Sequence, residues 1–339
     1  MKRIAFRTSD KNPSYLKQQG VVMISSGVFF QEMLTLYCIA LLGWAARKRN
    51  ILGKESISVL TQVLLYITLP ALILHSLNIK LSLGFIKDFI WLVAMSAYVC
   101  IVSAIFAAYF SKKARLPTKQ KSVYESLMIF GNQGYIGYAV SFILLEEKGI
   151  IYLTIFNICY LVFIWAYGIH LFTRKKGGIN WQAILVNPGI VSTVVGLILL
   201  FLPFKWPIFL AGTLESVGEM TVPLSMILVG ALVANVKMKT FFLSLKNGYL
   251  WTSSLLRLLF FPLLLLPFAV LSIPFPVLLI AFIVSGMPSA PTICIYVQKY
   301  GGDSLFASLG VLLTTALSII TIPLIYLFIT HTFPVLASR

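Results

Sequence analysis

The sequence predicts an all-α polytopic membrane protein of ten transmembrane helices, arranged as a 5+5 inverted repeat in which spans 4 and 9 are broken and cross. Three observations carry that expectation. Residues of the set AVILMFWYC make up 59% of the chain and only 11% are charged, whereas a soluble surface needs roughly a quarter charged residues. Ten apolar runs of about 20 residues, the length that crosses a bilayer, fit into 339 residues and leave only short connections. Gly and Pro punctuate the two halves of the chain at nearly one spacing.

The runs follow in order, and the charges between them set the orientation. Span 1 (25–46) ends at Arg47, Lys48, Arg49 and Lys54. Span 2 (56–76) is followed only by Lys80 and Lys87, and span 3 (87–110) by Lys112, Lys113, Arg115, Lys119 and Lys121. Span 4 (122–145) leads through Lys148 into span 5 (150–172), which ends at Arg174, Lys175 and Lys176. Span 6 (183–203) is followed by Lys205, and span 7 (208–234) by Lys237, Lys239 and Lys246. Span 8 (245–270) and span 9 (274–299) come next, then Lys299, span 10 (304–330) and a tail ending at Arg339. Sixteen basic residues follow odd spans, against five after even spans and in the tail. The basic connections belong on the cytoplasmic side of a cell membrane, inner or plasma, with both termini outside. Interior Pro and Gly are compatible with membrane helices.

Residues 1–24 read as a basic N-terminal extension, with 25–172 and 173–339 as the two five-helix repeats. Lys2, Arg3, Arg7, Lys11 and Lys17 oppose an outside N-terminus. They do not form a signal peptide, because Asn12-Pro13 and polar residues separate them from the apolar run. An internal start at Met23 or Met33 accounts for the conflict, and an odd number of spans is the competing account. The agreement of five later loops favours the extension.

Several classes of function are excluded. The net charge of +17 sits in short segments between apolar runs, which points to membrane topology and anionic lipid, not nucleic acid. Cys38, Cys100, Cys159 and Cys294 lie inside apolar stretches with no CxxC or Cys/His pairing. His75, His170 and His331 are far apart. Neither a metal site nor any other cofactor is expected. No HExxH, GxSxG or P-loop occurs, so the chain reads as neither an enzyme nor an ATP-driven pump.

The internal repeat points to a site. Gly43 and Gly196 are 153 residues apart, as are Pro70 and Pro223, and Gly137 and Pro291 are 154 apart. The same spacing maps spans 1–5 onto spans 6–10, and an odd count inverts the second copy, as in many secondary transporters. The fourth span of each half is the unusual one. Span 4 reads Gly131-Asn132-Gln133-Gly134-Tyr135-Ile136-Gly137 and span 9 reads Ser285-Gly286-Met287-Pro288-Ser289-Ala290-Pro291. Each glycine weakens a helix by about 1 kcal/mol relative to Ala, and an interior proline removes a hydrogen bond. Both spans should break near mid-membrane, facing protein or a wet cavity. Substrate-binding candidates are Asn132, Gln133, Gly134, Tyr135, Met287, Pro288, Ser289 and Pro291, with Gly131, Gly137, Pro288 and Pro291 making the breaks.

Glu32 and Glu125 are candidates for carrying a proton, or they are hydrated carboxylates near span ends. Arg257 is the only basic residue well inside a span. It follows Lys246 by eleven residues, roughly 16 Å along a helix. It either snorkels to the interface or offsets the charge of a bound anion. Half-helix N-termini at a break carry partial positive charge and suit a carboxylate.

An ordered set of motifs resembles the auxin efflux carrier family, within the bile acid, arsenite and auxin carrier superfamily. It comprises Leu69-Pro70-Ala71-Leu72, the GNxGxxG stretch at Gly131–Gly137, Asn187-Pro188-Gly189, Pro223 to Gly230, Pro288 to Pro291, and Tyr300-Gly301-Gly302-Asp303. The resemblance implies a scaffold of spans 1, 2, 6 and 7, often dimerising. A moving transport domain of spans 3–5 and 8–10 would act as an elevator. It also implies organic-anion substrates, auxin in plants and acids such as malate and malonate in bacteria, and a homodimer. The short loop at 173–181 resembles the compact bacterial members. Ala139 stands where the family often has Pro, and Tyr296 and Gln298 stand where small residues are usual, which bears on the substrate more than on the fold. A channel or a membrane receptor on the same fold is the alternative.

Overall fold

The structure, a computed structural model, describes residues 15–18, 21–24, 26–78, 83–173, 188–202, 206–234, 236 and 238–333. Within the extension, β1 (Tyr15–Gln18) and β2 (Val21–Ile24) form an antiparallel hairpin with Leu16 opposite Met23. This short sheet qualifies the all-α expectation. The rest is helical.

Helix α1 (Ser26–Lys48) is followed by α2 (Lys54–Val63), a π-helical stretch at Leu64–Thr68 and α3 (Leu69–Ser76). Pro70 lies inside this continuous helix, directly after the π stretch, the kind of local adjustment by which a membrane helix accommodates a missing N–H. Helices α4 (Leu83–Lys113) and α5 (Thr118–Ile129) come next, and a π turn at Gln133–Gly137 opens α6 (Tyr138–Phe163). A second π turn, Ile164–Gly168, leads to α7 (Ile169–Thr173). In the second half, α8 (Pro188–Phe201), α9 (Ile208–Glu219), α10 (Thr221–Val233), α11 (Met238–Ser244) and α12 (Gly248–Leu255) follow in order. A π turn at Leu256–Phe260 joins α12 to α13 (Phe261–Leu263), with α14 (Leu266–Ala269) beyond. The chain ends in α15 (Phe275–Ser285), α16 (Thr292–Tyr300) and α17 (Ser304–Thr332).

Seven of these continuous segments are long and apolar enough to cross a membrane: Gly27–Lys48, Glu55–Ser76, Gly84–Lys113, Gln133–Thr173, Ile208–Val233, Gly248–Ala269 and Ser304–Thr332. Pro188–Leu200 and Phe275–Ser285 are shorter apolar helices. The stretch Gln133–Thr173 is not one rod. Leu145 (φ −139°, ψ 18°) and Glu146 (φ 52°, ψ −134°) leave the helical region and turn the chain back. Gly149 permits that turn, because a Cβ there would stand 1.9 Å from the Ser141 carbonyl oxygen. The start expected for span 6 at 183 and the motif residue Asn187 lie outside the described residues, as do Arg174, Lys175, Lys176, Lys80, Lys205, Lys237 and Arg339.

Packing follows the small residues. The most extensive contact joins α1 to α10. A Cβ on Gly43 would meet the Ile227 carbonyl oxygen at 2.1 Å, and one on Gly230 the Ala40 carbonyl oxygen at 1.7 Å. The two backbones therefore touch through glycines on both sides, the close approach that small residues give membrane helices. Helix α3 packs on α8 and α9, and Gly196 of α8 leaves room for Leu77, whose Cδ1 would lie 2.5 Å from a Cβ. A second group gathers α4, α5 and α6 with α12, α15, α16 and α17. His75 Nε2 of α3 lies 3.8 Å from Glu147 Oε1 at the α6 kink, a contact between the two groups that is an ion pair when His75 is protonated.

Buried apolar side chains fall into two clusters. One takes Tyr135–Leu145, Ile150–Phe156 and Phe275–Met287 together with residues of α1, α3 and α10. The other takes Val123–Phe130, Tyr160–Leu171, Ala290–Val297 and Phe306–Leu313. The segment running α5 to α6 and the segment running α15 to α16 each place one half in each cluster. Their breaks lie at the seam between them.

Candidate functional site

Helix α5 stops at Ile129 because Phe130 is extended (φ −94°, ψ 111°) ahead of Gly131. Helix α15 stops at Ser285, and α16 restarts at Thr292 behind Pro291. The two interruptions run antiparallel and bond to each other. Asn132 N donates to the Pro288 carbonyl at 2.6 Å, Ala290 N donates to the Phe130 carbonyl at 2.9 Å, and Gly131 pairs with Ser289. Backbone groups freed by each break are thus met largely by the other break, which is what a buried, non-helical main chain requires.

Ser289 itself and side chains from three further segments add to the accounting. Ser289 Oγ donates to the Leu127 carbonyl at 2.7 Å, and Ser289 N donates to Thr314 Oγ1 of α17 at 3.1 Å. The Tyr160 hydroxyl of α6 donates to the Gly131 carbonyl. Arg257, on the π turn after α12, donates from Nε to the Met287 carbonyl at 2.8 Å and from Nη1 to the Ile129 carbonyl at 2.9 Å. Those carbonyls stand at the C-terminal ends of the two interrupted helices, where the helix dipole is negative and a cation is favoured.

Arg257 corrects one of the two sequence readings. It does not snorkel: it is 1% exposed and turned into the crossover. Gly131 makes that possible, since a Cβ there would stand 1.8 Å from Arg257 Nη2. Burying a guanidinium costs several kcal/mol. Two charge-assisted bonds, each about 1.5–3 kcal/mol, offset much of that and leave Nη2 buried with no hydrogen-bond partner. Glu125 is also not the hydrated carboxylate considered from sequence. It is 1% exposed and accepts from the Tyr167 hydroxyl at 2.9 Å.

The predicted substrate residues come together at this seam. Asn132 caps the π turn by accepting from Tyr135 N at 3.3 Å, and its Nδ2 has no partner. Gln133 is buried with an unmet Oε1. Tyr135, Met287 and Ser289 are buried, and Gly134 is half-buried beside open space, with nothing within 4 Å of where its Cβ would stand. Gly137 ends the π turn and Pro291 caps α16. In this conformation Met287, Pro288 and Ser289 spend main-chain or hydroxyl groups on the crossing itself. Sequence reasoning passed over Tyr160, Thr314 and Asn157, whose Oδ1 is buried and unmet. Their mid-span polarity was the available signal. Among the described residues no group of three His, Cys, Asp or Glu side chains could hold a metal ion.

Comparison with known proteins points to membrane transport. The pattern of the family described as membrane transport protein matches residues 28–183 and 173–326. An uncharacterized transporter of Methanocaldococcus jannaschii is 22% identical over 302 residues, covering 86% of this chain and 96% of that relative. Matched over most of its length, the chain belongs to the membrane transport protein family, the auxin efflux carriers that its motifs resemble.

Proposed function

We propose that this protein is a secondary active transporter of small organic anions, mono- or dicarboxylates, which it carries by elevator-type alternating access from a site at the crossover. The observation that carries the reading is the buried polar seam at the crossing of two interrupted helices, where Asn132 Nδ2, Arg257 Nη2 and Gln133 Oε1 lack partners. Unmet buried polar groups are expensive, and two of these three are donors, one of them on the guanidinium cation, which suits a carboxylate.

The elevator rests on ten spans in a 5+5 inverted repeat. The kink at Leu145 and Glu146 divides spans 4 and 5. Span 1 packs on span 7 through Gly43, and span 6 packs on span 2 through Gly196. Shifting the chain by one repeat turns the first contact into the second, as an inverted repeat requires. The grouping of spans 1, 2, 6 and 7 supports a scaffold, through which a homodimer would form, and the second helix group supports a mobile domain. Both ends face outside in this scheme, and a reporter after Arg339 that reads cytoplasmic overturns that orientation.

A stabilisation screen of purified protein tests the substrate class. Short-chain carboxylates, mono- or dicarboxylic, should as a class include members that raise the melting temperature in a saturable way, and organic cations should not. A panel in which only cations or neutral solutes stabilise contradicts the reading.

A further inference from the structure

Arg257 brings a fixed positive charge to the crossover. It is the single buried basic side chain among the residues whose burial is described, and among the described residues no carboxylate lies within ion-pair distance of it. A guanidinium keeps its proton in proteins. Nε and Nη1 are engaged by the Met287 and Ile129 carbonyls, and Nη2 is buried and unmet. Nη2 lies against the main chain of Gly131, and the next residue, Asn132, holds a second buried, unmet donor at Nδ2. One unmet donor thus lies against Gly131 and another is carried by the residue after it, close in sequence to the open space at Gly134.

We propose that Arg257 sets the charge of the substrate, so that the crossover accepts anions bearing one negative charge and discriminates against dianions and neutral analogues. The proposal rests on the anion-carrier reading above and narrows its substrate class. One carboxylate neutralises the guanidinium and meets the free donors. A second carboxylate on the same molecule would be buried with no cation opposite it, the most unfavourable case for a charge away from water. A neutral ester would leave the guanidinium with only its two carbonyl bonds and no counter-charge. The other basic side chains whose burial is described are at least partly exposed, so none of them serves as a buried second counter-charge.

The test uses matched ligand pairs on the wild-type protein in detergent, at a pH where every carboxyl group is ionised. The ligands are malonate and succinate, their monomethyl esters and their dimethyl esters. The monoesters should bind at least about tenfold more tightly than the dianions and the diesters. Dianions that bind as tightly as the monoesters overturn the charge rule while leaving the anion carrier standing. If none of the acids or monoesters binds, both readings fall. Arg257→Lys should keep the monoester preference with weaker binding, and Arg257→Gln should abolish the advantage of monoester over diester. Retention of that advantage in folded Arg257→Gln also overturns the proposal. If Arg257→Gln does not fold, the wild-type panel and Arg257→Lys decide it.

Discussion

Asn132 performs two tasks with one amide. Its Oδ1 caps the π turn, while Nδ2 is buried and unmet. Removing such a cap costs about 1 kcal/mol, so Asn132→Ala confuses a lost cap with a lost ligand. Serine is as good a cap and lacks the amide donor, so Asn132→Ser separates the two. Gly134 gives the complementary test. Its surroundings are open, and Ala favours helix by about 1 kcal/mol over Gly. Gly134→Ala should therefore leave the melting temperature unchanged or raise it, while weakening binding of a monocarboxylate by about tenfold. Equal affinity in a stable Gly134→Ala protein would move the substrate away from that open space. The residue types at positions 131–137 announced a break, but the use of Gly131 as the berth for Arg257 was not legible. It joins groups 126 residues apart in sequence, and no local pattern encodes that.

Among the elements, the tightest constraint is the contact of α1 with α10. At Gly43 a Cβ would meet backbone, the Ile227 carbonyl at 2.1 Å, and backbone cannot swing aside as a side chain can. Gly43→Ala should lower stability by about 1–3 kcal/mol and leave ligand affinity in the folded fraction unchanged. An unaltered melting temperature would show that the two helices do not hold this approach. The recurrence of Gly43 at Gly196 was visible as a spacing, and the structure gives it a shared use, because both glycines admit a neighbouring helix. The breaks in spans 4 and 9 were also legible, since glycine and proline act through local backbone energetics. The π turn at Leu256–Phe260 was not. Arg257 lies within it, and eleven regular helical residues from Lys246 had left the interface within reach. Asp303 shows the same limit outside the membrane. Partial burial raises its carboxyl pKa, but hydrogen bonds from Gln120 and from the amides of Phe306 and Leu305 outweigh that and hold it below the usual range. Its motif was legible, whereas its tie to α5 was not.

At the scale of the molecule, two apolar clusters enclose one polar seam, and one half of each crossing segment packs in one cluster with residues of α1 and α10. A membrane protein gains little from burying polar groups unless they meet a partner or a ligand. This seam leaves several unmet. Composition alone established the membrane class, because no soluble surface can be made with so few charges. The number and pairing of the spans depend on how far the kink at Glu146 and the interruptions at Gly131 and Met287 redirect the chain, and hydropathy does not report direction. The central claim is that a carboxylate is carried from the crossover. Its most direct test is uptake of a labelled short-chain monocarboxylate into proteoliposomes holding equal amounts of folded wild-type and Asn132→Ser protein. Uptake by the wild type should saturate with concentration, and Asn132→Ser should show a half-saturation constant raised by about tenfold at an unchanged melting temperature. Uptake that rises linearly without saturating, or a half-saturation constant identical in the two proteins, would contradict it.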